Sequence, residues 1–371
     1  MQVSDVQALA TQVLWTSFVI SMVFGALAQR THFCTMGALS DAVNIGDYSR
    51  LRQWALAVAV AVLGFAALVF AEQIDPSKTL YASSRFQWLS ALVGGLMFGF
   101  GMVLASGCGS KTLVRVGTGN LKSVIVFFIM GVAAYATLRG ITAVARSNTV
   151  DLVFIDFPAG ASLGHLLASA SGLPVRIAFT VAALLVALVL LTWVFKDREF
   201  WTSDNLLAGF GVGAVVVAMW AGSGVLGHVA EHPETLEETF LTTGSSRIEA
   251  LTFTAPMAYA LDWLMLFSDK NKMLSWSVVS VGGVISGSTL MALIRKEFRW
   301  EGFRDTTDTA NHIIGAMLMG VGGVTALGCT VGQGLSGIST LSLSSFVAVA
   351  AIIAGAKIAF TFQMWQLDRS D

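Results

Sequence analysis

The sequence predicts an all-α, polytopic membrane protein, and three observations carry that prediction. Of the 371 residues, 55% are apolar and only 12% are charged, about half the charged fraction usual for a soluble domain. Long stretches such as 58–69 and 177–194 contain no charged residue. Glycine is abundant, with 37 residues, and proline is scarce, with 5, which favours helices packed closely through small side chains.

A helix needs roughly 20 largely apolar residues to cross the hydrocarbon core of a bilayer. We predict about ten membrane-embedded helical segments, near residues 12–29, 54–71, 88–106, 121–143, 176–195, 204–221, 248–267, 276–294, 310–328 and 344–363. No basic residue precedes the first segment, so it lacks the positive flank of a secretory signal peptide and is expected to be retained. The lipid bilayer is therefore the first expected partner.

The distribution of charge excludes some functions. The formal net charge of −1 argues against binding to nucleic acid. Many basic residues lie at the predicted ends of spans, where they anchor topology; they are Arg50, Arg52, Lys196, Arg198, Arg295, Lys296, Arg299 and Arg304.

An internal repeat organises the chain. Cys34, Cys108 and Cys329 each follow the first residue of a similar block by ten positions, and a fourth block, starting at Phe210, has Trp220 in the cysteine position. We therefore predict one transmembrane domain, 1–371, made of two pseudo-symmetric halves, 1–198 and 199–371, with a polar insertion near 227–246 in the second half. Many secondary transporters have such internal symmetry, with the substrate site at the interface between repeats.

Glycines surround the cysteines. Gly107 and Gly109 flank Cys108, and Gly328 precedes Cys329. Because glycine relaxes the backbone at low steric cost, a helix can end there and a short re-entrant half-helix can begin. The N-terminal N–H groups of such a half-helix favour an anion beside the sulfur.

Three cysteines are an odd number, so a complete disulfide framework is excluded and free thiols are expected. A single buried cysteine is most often a small hydrophobic residue. The shared repeat frame instead favours three thiols that line one pathway. A thiol offers a weak S–H donor and a polarizable surface, and its thiolate can exchange with sulfur–sulfur bonds, which suits a sulfur-containing cargo.

Three further residues are candidates for substrate contact. Lys111 follows Cys108 by three positions, and a basic residue near a span interior indicates either function or a side chain that snorkels to the interface. Arg30, which precedes Cys34, and Gln333, which follows Cys329, could donate hydrogen bonds to an anion. Equally, they could satisfy carbonyl groups that a broken helix leaves free.

A rival motif lies in the polar insertion. His228, Glu231 and His232 match the H-x-x-E-H pattern of inverted zinc peptidases. The pattern requires a helix, whereas Pro233 follows directly and disfavours helical geometry at the residue before it. We expect no metal and no cofactor.

Three stretches also resemble a known family. Residues 29–34 (QRTHFC), 99–109 (GFGMVLASGCG) and 328–337 (GCTVGQGLSG) are similar to the cysteine motifs of the YeeE/YedE family of sulfur-compound transporters. The resemblance implies an hourglass-shaped helical protein that takes up thiosulfate across the bacterial inner membrane, with Cys34, Cys108 and Cys329 passing the anion along. It also implies a small cytoplasmic sulfur-relay protein as a possible partner, and related sulfur or selenium compounds as other possible cargo.

The sequence therefore favours a transporter over an enzyme. The principal hypothesis is uptake of thiosulfate, or a closely related small sulfur-containing anion, through a cysteine-lined central pathway. The alternative is a membrane-embedded sulfurtransferase that forms a persulfide on one cysteine and hands sulfur to a cytoplasmic acceptor.

Overall fold

The computed structural model describes residues 3–269 and 273–368, and this part of the chain is mostly helical, with almost no sheet. Its α-helices are α1 (Val3–Arg30), α2 (Thr35–Asn44), α3 (Ser49–Phe70), α4 (Trp88–Leu104), α5 (Gly109–Gly117), α6 (Leu121–Arg139), α7 (Ile141–Ser147), α8 (Leu163–Ser171), α9 (Val175–Phe195), α10 (Ser203–Ala221), α11 (Thr254–Met265), α12 (Trp276–Ile294), α13 (Thr306–Thr325) and α14 (Leu343–Asp368). The strands are β1 (Arg85–Phe86), β2 (Ile155–Asp156), β3 (His228–Val229) and β4 (Thr239–Phe240), paired β1 with β2 and β3 with β4. The predicted all-α polytopic class is confirmed.

Eight helical segments of the described residues are long and apolar enough to cross a membrane. They are Ser4–Asn44, Ser49–Phe70, Trp88–Gly117, Leu121–Arg139, Val175–Phe195, Ser203–Leu226, Trp276–Ile294 and Leu343–Gln366. The other two predicted segments are also helical, but α11 has only 12 residues, too few for the roughly 20 that a span needs. The first turns of α13 carry the polar residues Asp308 and His312.

Glycine sets how closely the helices approach one another. A Cβ atom on Gly287 of α12 would lie 1.9 Å from the backbone oxygen of Met22 in α1, and one on Gly99 of α4 would lie 2.1 Å from that of Ile352 in α14. Both distances are far below van der Waals contact, so neither helix pair can form with a larger residue there. The predicted packing through small residues is present.

The main helix pairs join the two parts of the chain. Helix α1 packs along α12, and α3 packs along α10, while α4 contacts both α13 and α14. Helices α4 and α13 run antiparallel, because Gly101 meets Gly315 at one level and Gly94 meets Gly322 at another. The division into the two halves 1–198 and 199–371 stays a prediction, as does the hourglass shape.

The polar insertion near 227–246 contains the β3–β4 hairpin, in which His228 pairs with Phe240. His228 therefore begins a strand, not a helix, and its Nε2 atom lies 2.7 Å from Oε1 of Glu238. The rival zinc motif therefore lacks the helix that it requires, as the proline after it led us to expect. Within the described ranges, no group of three potential metal ligands is found.

Candidate functional site

The chain makes the same turn before each cysteine. Two positions ahead of Cys34, Cys108 and Cys329 stands a residue with positive φ, and these residues are His32 (52°), Ser106 (56°) and Leu327 (59°). Such left-handed backbone is uncommon for residues other than glycine. Its recurrence at one repeat position shows that the shared sequence frame corresponds to a shared backbone turn.

Hydrogen bonds identify two of these turns, those after α4 and α13, as Schellman helix ends. After α4, the Gly107 N–H donates to the Met102 carbonyl at 2.8 Å, and the Ser106 N–H donates to that of Val103 at 3.1 Å. After α13, the Gly328 N–H donates to the Gly323 carbonyl at 2.7 Å. The turn satisfies the last carbonyls of each long helix, which lowers the cost of ending a helix inside the membrane.

A short helix begins directly after each cysteine, as predicted. Helix α2 follows Cys34 and α5 follows Cys108, while residues 330–339 after Cys329 are helical, with a π-helical stretch at Gly332–Gly337. The Cys34 sulfur accepts from the Gly37 N–H at 3.4 Å, and the Cys329 sulfur accepts from the Gly332 N–H at 3.3 Å. Two of the three sulfurs therefore lie where a helix N-terminus offers free donors.

Cys108 lies between the other two cysteines. Its side chain lies next to Cys34 and next to Thr330, the residue after Cys329. Its sulfur is also 3.3 Å from the Ser110 hydroxyl. Cys108 and Cys329 are fully buried, Cys34 is half-buried, and all three are free thiols. The three residues thus occupy one region of the interior.

Cationic side chains gather on the Cys34 side of this region. Lys111 lies near Cys34 and Cys108, together with Arg50 and Arg115. The Arg115 guanidinium donates to the Ser106 carbonyl at 2.7 Å, so it helps to hold the turn. Lys111 has no ion-pair partner within the part of the chain that the structure describes. An unpaired cation close to buried thiols can attract an anion.

The two other predicted contact residues have partners within the protein. Arg30 is half-exposed and lies 3.8 Å from Asp204 at the start of α10. Gln333 is buried, its Nε2 donates to the Ala326 carbonyl, and its Oε1 accepts from the Ser345 hydroxyl at 2.6 Å. Of the two roles expected for Gln333, the structure shows the structural one: the side chain satisfies a carbonyl group at a helix end.

A polar cavity opens on the Cys329 side. It has a volume of about 490 Å³ and includes Arg247, His165 and Leu327 in its lining, the last being the left-handed residue ahead of Cys329. A second cavity of about 220 Å³ reaches Gly328, Thr252 and Glu249. Cavity space thus extends to the residue that precedes Cys329.

Sequence reasoning missed several residues of this region. Arg50 was assigned to topology, yet its Nη1 atom lies 2.8 Å from where a Cβ on Gly37 would be, beside Cys34. Tyr81 and Thr252 pack against Gly332, and Glu249 belongs to the same wall of the second cavity. These residues are far from the cysteines in sequence and follow no repeat, so local spacing carries no signal for them.

Eight candidate spans define a multi-pass membrane protein, and its family and relatives identify it as a transporter rather than an enzyme. Residues 30–358 match the model of the family described as Sulphur transport, and the chain belongs to this family, which confirms the resemblance to YeeE/YedE proteins. It is 26% identical to the thiosulfate transporter TsuA of Spirochaeta thermophila over 355 residues, covering 92% of this chain and 96% of that protein. It is 25% identical to the thiosulfate transporter TsuA of Escherichia coli over 349 residues, covering 92% of each.

Proposed function

We propose that the protein takes up thiosulfate, or a closely related small sulfur-containing anion, across the bacterial inner membrane through a passage lined by Cys34, Cys108 and Cys329. One observation carries this proposal: the three free thiols meet in one buried region, and each directly precedes a short helix. The names of the two relatives support thiosulfate as the cargo.

The passage runs from the 490 Å³ cavity past Cys329 and Cys108 to Cys34 and the cationic residues beyond. The end of α1, next to Cys34, lies on the same face of the protein as the start of α10 and the loop 295–304. Arg30 pairs with Asp204, and Gln29 donates a hydrogen bond to Glu297. This loop, 295–304, contains four basic residues within ten positions. Because cytoplasmic loops are enriched in Lys and Arg, we assign the Cys34 face to the cytoplasm.

Neutral thiols suit this passage better than thiolates. A thiol can donate an S–H contact to an anionic oxygen or sulfur, whereas a thiolate would repel a dianion. The helix N-termini at the cysteines add backbone donors without adding a fixed charge. The anion can therefore move from one thiol to the next by exchanging weak contacts, with no covalent bond formed.

Lys111 serves as the cationic end of the path. A dianion in a low-dielectric interior is costly unless it finds opposite charge, and Lys111 lies next to both Cys34 and Cys108. Its position on the cytoplasmic side draws the anion forward past the buried thiols. Arg50 is close enough to Cys34 to share this role once the anion reaches α2.

A small cytoplasmic sulfur-relay protein is the proposed partner. It would receive the anion at the Cys34 face, where the half-buried thiol is the most accessible of the three. Copurification of the two proteins tests this assignment. The Arg50→Glu variant serves as the negative control and should not retain the partner.

Proteoliposomes containing the purified protein distinguish transport from sulfur transfer. Thiosulfate labelled differently on its two sulfur atoms should appear inside with both labels in their original ratio. If only one label enters or remains on the protein, the persulfide sulfurtransferase is correct instead. Liposomes with the Cys108→Ala variant provide the matched control for leakage.

A further inference from the structure

We propose that Glu249 is a proton-binding residue of transport, which takes up a proton as the anion reaches Cys329. The inference rests on the proposed function, because it names a second ligand of the same passage. The structure holds a buried carboxyl group beside the passage that the thiol path does not use.

Glu249 is buried, with 5% of its surface exposed, and only neutral donors contact its carboxylate. Its Oε1 accepts from the Ser245 N–H at 3.0 Å and from the Ser245 hydroxyl at 2.6 Å, and its Oε2 accepts from the Ser277 hydroxyl at 2.9 Å. No Lys or Arg forms an ion pair with it among residues 3–269 and 273–368. A buried carboxylate without a cationic partner is costly, and protonation removes that cost.

The segment that follows Glu249 forms part of the wall around Cys329. Thr252 contacts Gly332, whose N–H donates to the Cys329 sulfur, and the Phe253 backbone is a further hydrogen-bond neighbour of that sulfur. Glu249 and Gly328 line the same 220 Å³ cavity. A negative charge on Glu249 therefore faces the cavity that reaches Gly328, and it repels an anion that arrives at Cys329.

Two basic side chains lie near Glu249, but neither forms an ion pair with it in the described part of the chain. Arg146 also lines it but lies 2.8 Å from Asp151. Arg247, on the same segment, donates to the Ala82 carbonyl at 2.6 Å. The remaining neighbours are the phenols of Tyr81 and Tyr259, which are uncharged at neutral pH.

The outer cavity contains a second titratable group, His165. Burial lowers its pKa, and Asp75 opposes that shift. Protonated His165 would attract an anion and neutral His165 would not, so it affects uptake in the same direction as Glu249. The two residues must therefore be tested separately.

Burial raises the pKa of the Glu249 carboxyl, against the lowering effect of its serine hydrogen bonds. An approaching anion raises that pKa further, because like charges disfavour the ionised form. By reciprocity, a proton on Glu249 strengthens anion binding by the same factor. Below the pKa the neutral group lets the anion approach Cys329, and above it the carboxylate repels the anion. The KM for the anion should therefore rise with pH.

The test is uptake of labelled thiosulfate into proteoliposomes between external pH 5.5 and 7.5. The wild-type KM should rise by up to about tenfold per pH unit once Glu249 ionises. Glu249→Gln keeps the hydrogen-bonding shape but stays neutral, so its KM should lose the part of the rise that Glu249 causes and keep only the part that His165 causes. His165→Gln is the matched control and should keep the part of the rise that Glu249 causes.

The outcomes separate the two proposals. If wild-type liposomes take up no thiosulfate at any pH, the proposed function fails. If they take it up with a KM that does not change with pH, or if Glu249→Gln keeps the wild-type rise, the proton-binding role is overturned. Should Glu249→Gln not purify as folded protein, Glu249→Asp replaces it: a shifted midpoint of the rise supports the role, and an unchanged midpoint overturns it.

Discussion

The turns at Cys108 and Cys329 are nearly identical in backbone but differ in the polar groups that follow. Both end a long helix with a left-handed residue and a glycine. Three positions after Cys108 comes Lys111, which has no ion-pair partner in the described structure. Four positions after Cys329 comes Gln333, both ends of which are bonded to protein groups. The repeat thus gives both positions the same backbone turn, whereas the polar side chains that follow the two turns differ.

Loss of a buried thiol should have the largest effect. We expect Cys108→Ala or Cys329→Ala to reduce thiosulfate uptake in proteoliposomes to the level of empty liposomes, because each removes one thiol contact from the proposed passage. Cys108→Ser tests what the sulfur itself contributes, since serine keeps a donor without the polarizable surface. Uptake near the wild-type rate in either alanine variant would contradict the shared passage.

Replacement of Lys111, the unpaired cation, should have the next largest effect on uptake. Lys111→Gln removes a charged contact worth about 1.5–3 kcal/mol, which corresponds to roughly a 10- to 150-fold loss in uptake efficiency. Lys111→Arg should keep most of the activity. Lys122→Gln is the matched control, because Lys122 already pairs with Asp308 at 2.8 Å. Equal losses of uptake in Lys111→Gln and Lys122→Gln would contradict a specific role for Lys111 and would remove this difference between the Cys108 and Cys329 turns.

Gln333 should affect stability more than transport. Gln333→Leu leaves the Ala326 carbonyl and the Ser345 hydroxyl without their partner, at a cost of about 1–3 kcal/mol. We expect a lower unfolding temperature in detergent and an unchanged KM per folded protein. A large rise in KM with normal stability would show that Gln333 contacts the anion instead.

The fourth repeat position should matter least. At Trp220 the helix does not break but continues into the π-helical stretch Gly222–Leu226, and the indole donates to the Ser339 hydroxyl at 2.9 Å. Trp220→Phe loses one hydrogen bond worth about 0.5–1.5 kcal/mol. A small fall in unfolding temperature with normal uptake is expected, and abolished uptake would place this position in the pathway.

The limits of the sequence are clearest at α11 and at Glu249. Hydropathy predicted a span over 248–267, but the helix is confined to Thr254–Met265 because the preceding residues are committed to contacts with the Cys329 turn. Glu249 lay unnoticed beside the polar insertion, since its burial depends on Ser277 and on the cavity wall. Neither the short length of α11 nor the burial of Glu249 can therefore be predicted from a window of neighbouring residues.

The sequence by itself determined the membrane class, most of the spans, the family, and the placement of a short helix after each cysteine. Hydropathy, glycine content and repeat spacing act within one or two turns of chain, so they can be read without the fold. Only the tertiary structure decided that Cys108 lies between Cys34 and Thr330, that Gln333 is bonded internally, and that Glu249 has no cationic partner among the described residues. These facts depend on contacts between residues distant in sequence, and a hydrogen bond or ion pair exists only where the packed helices bring its two partners together.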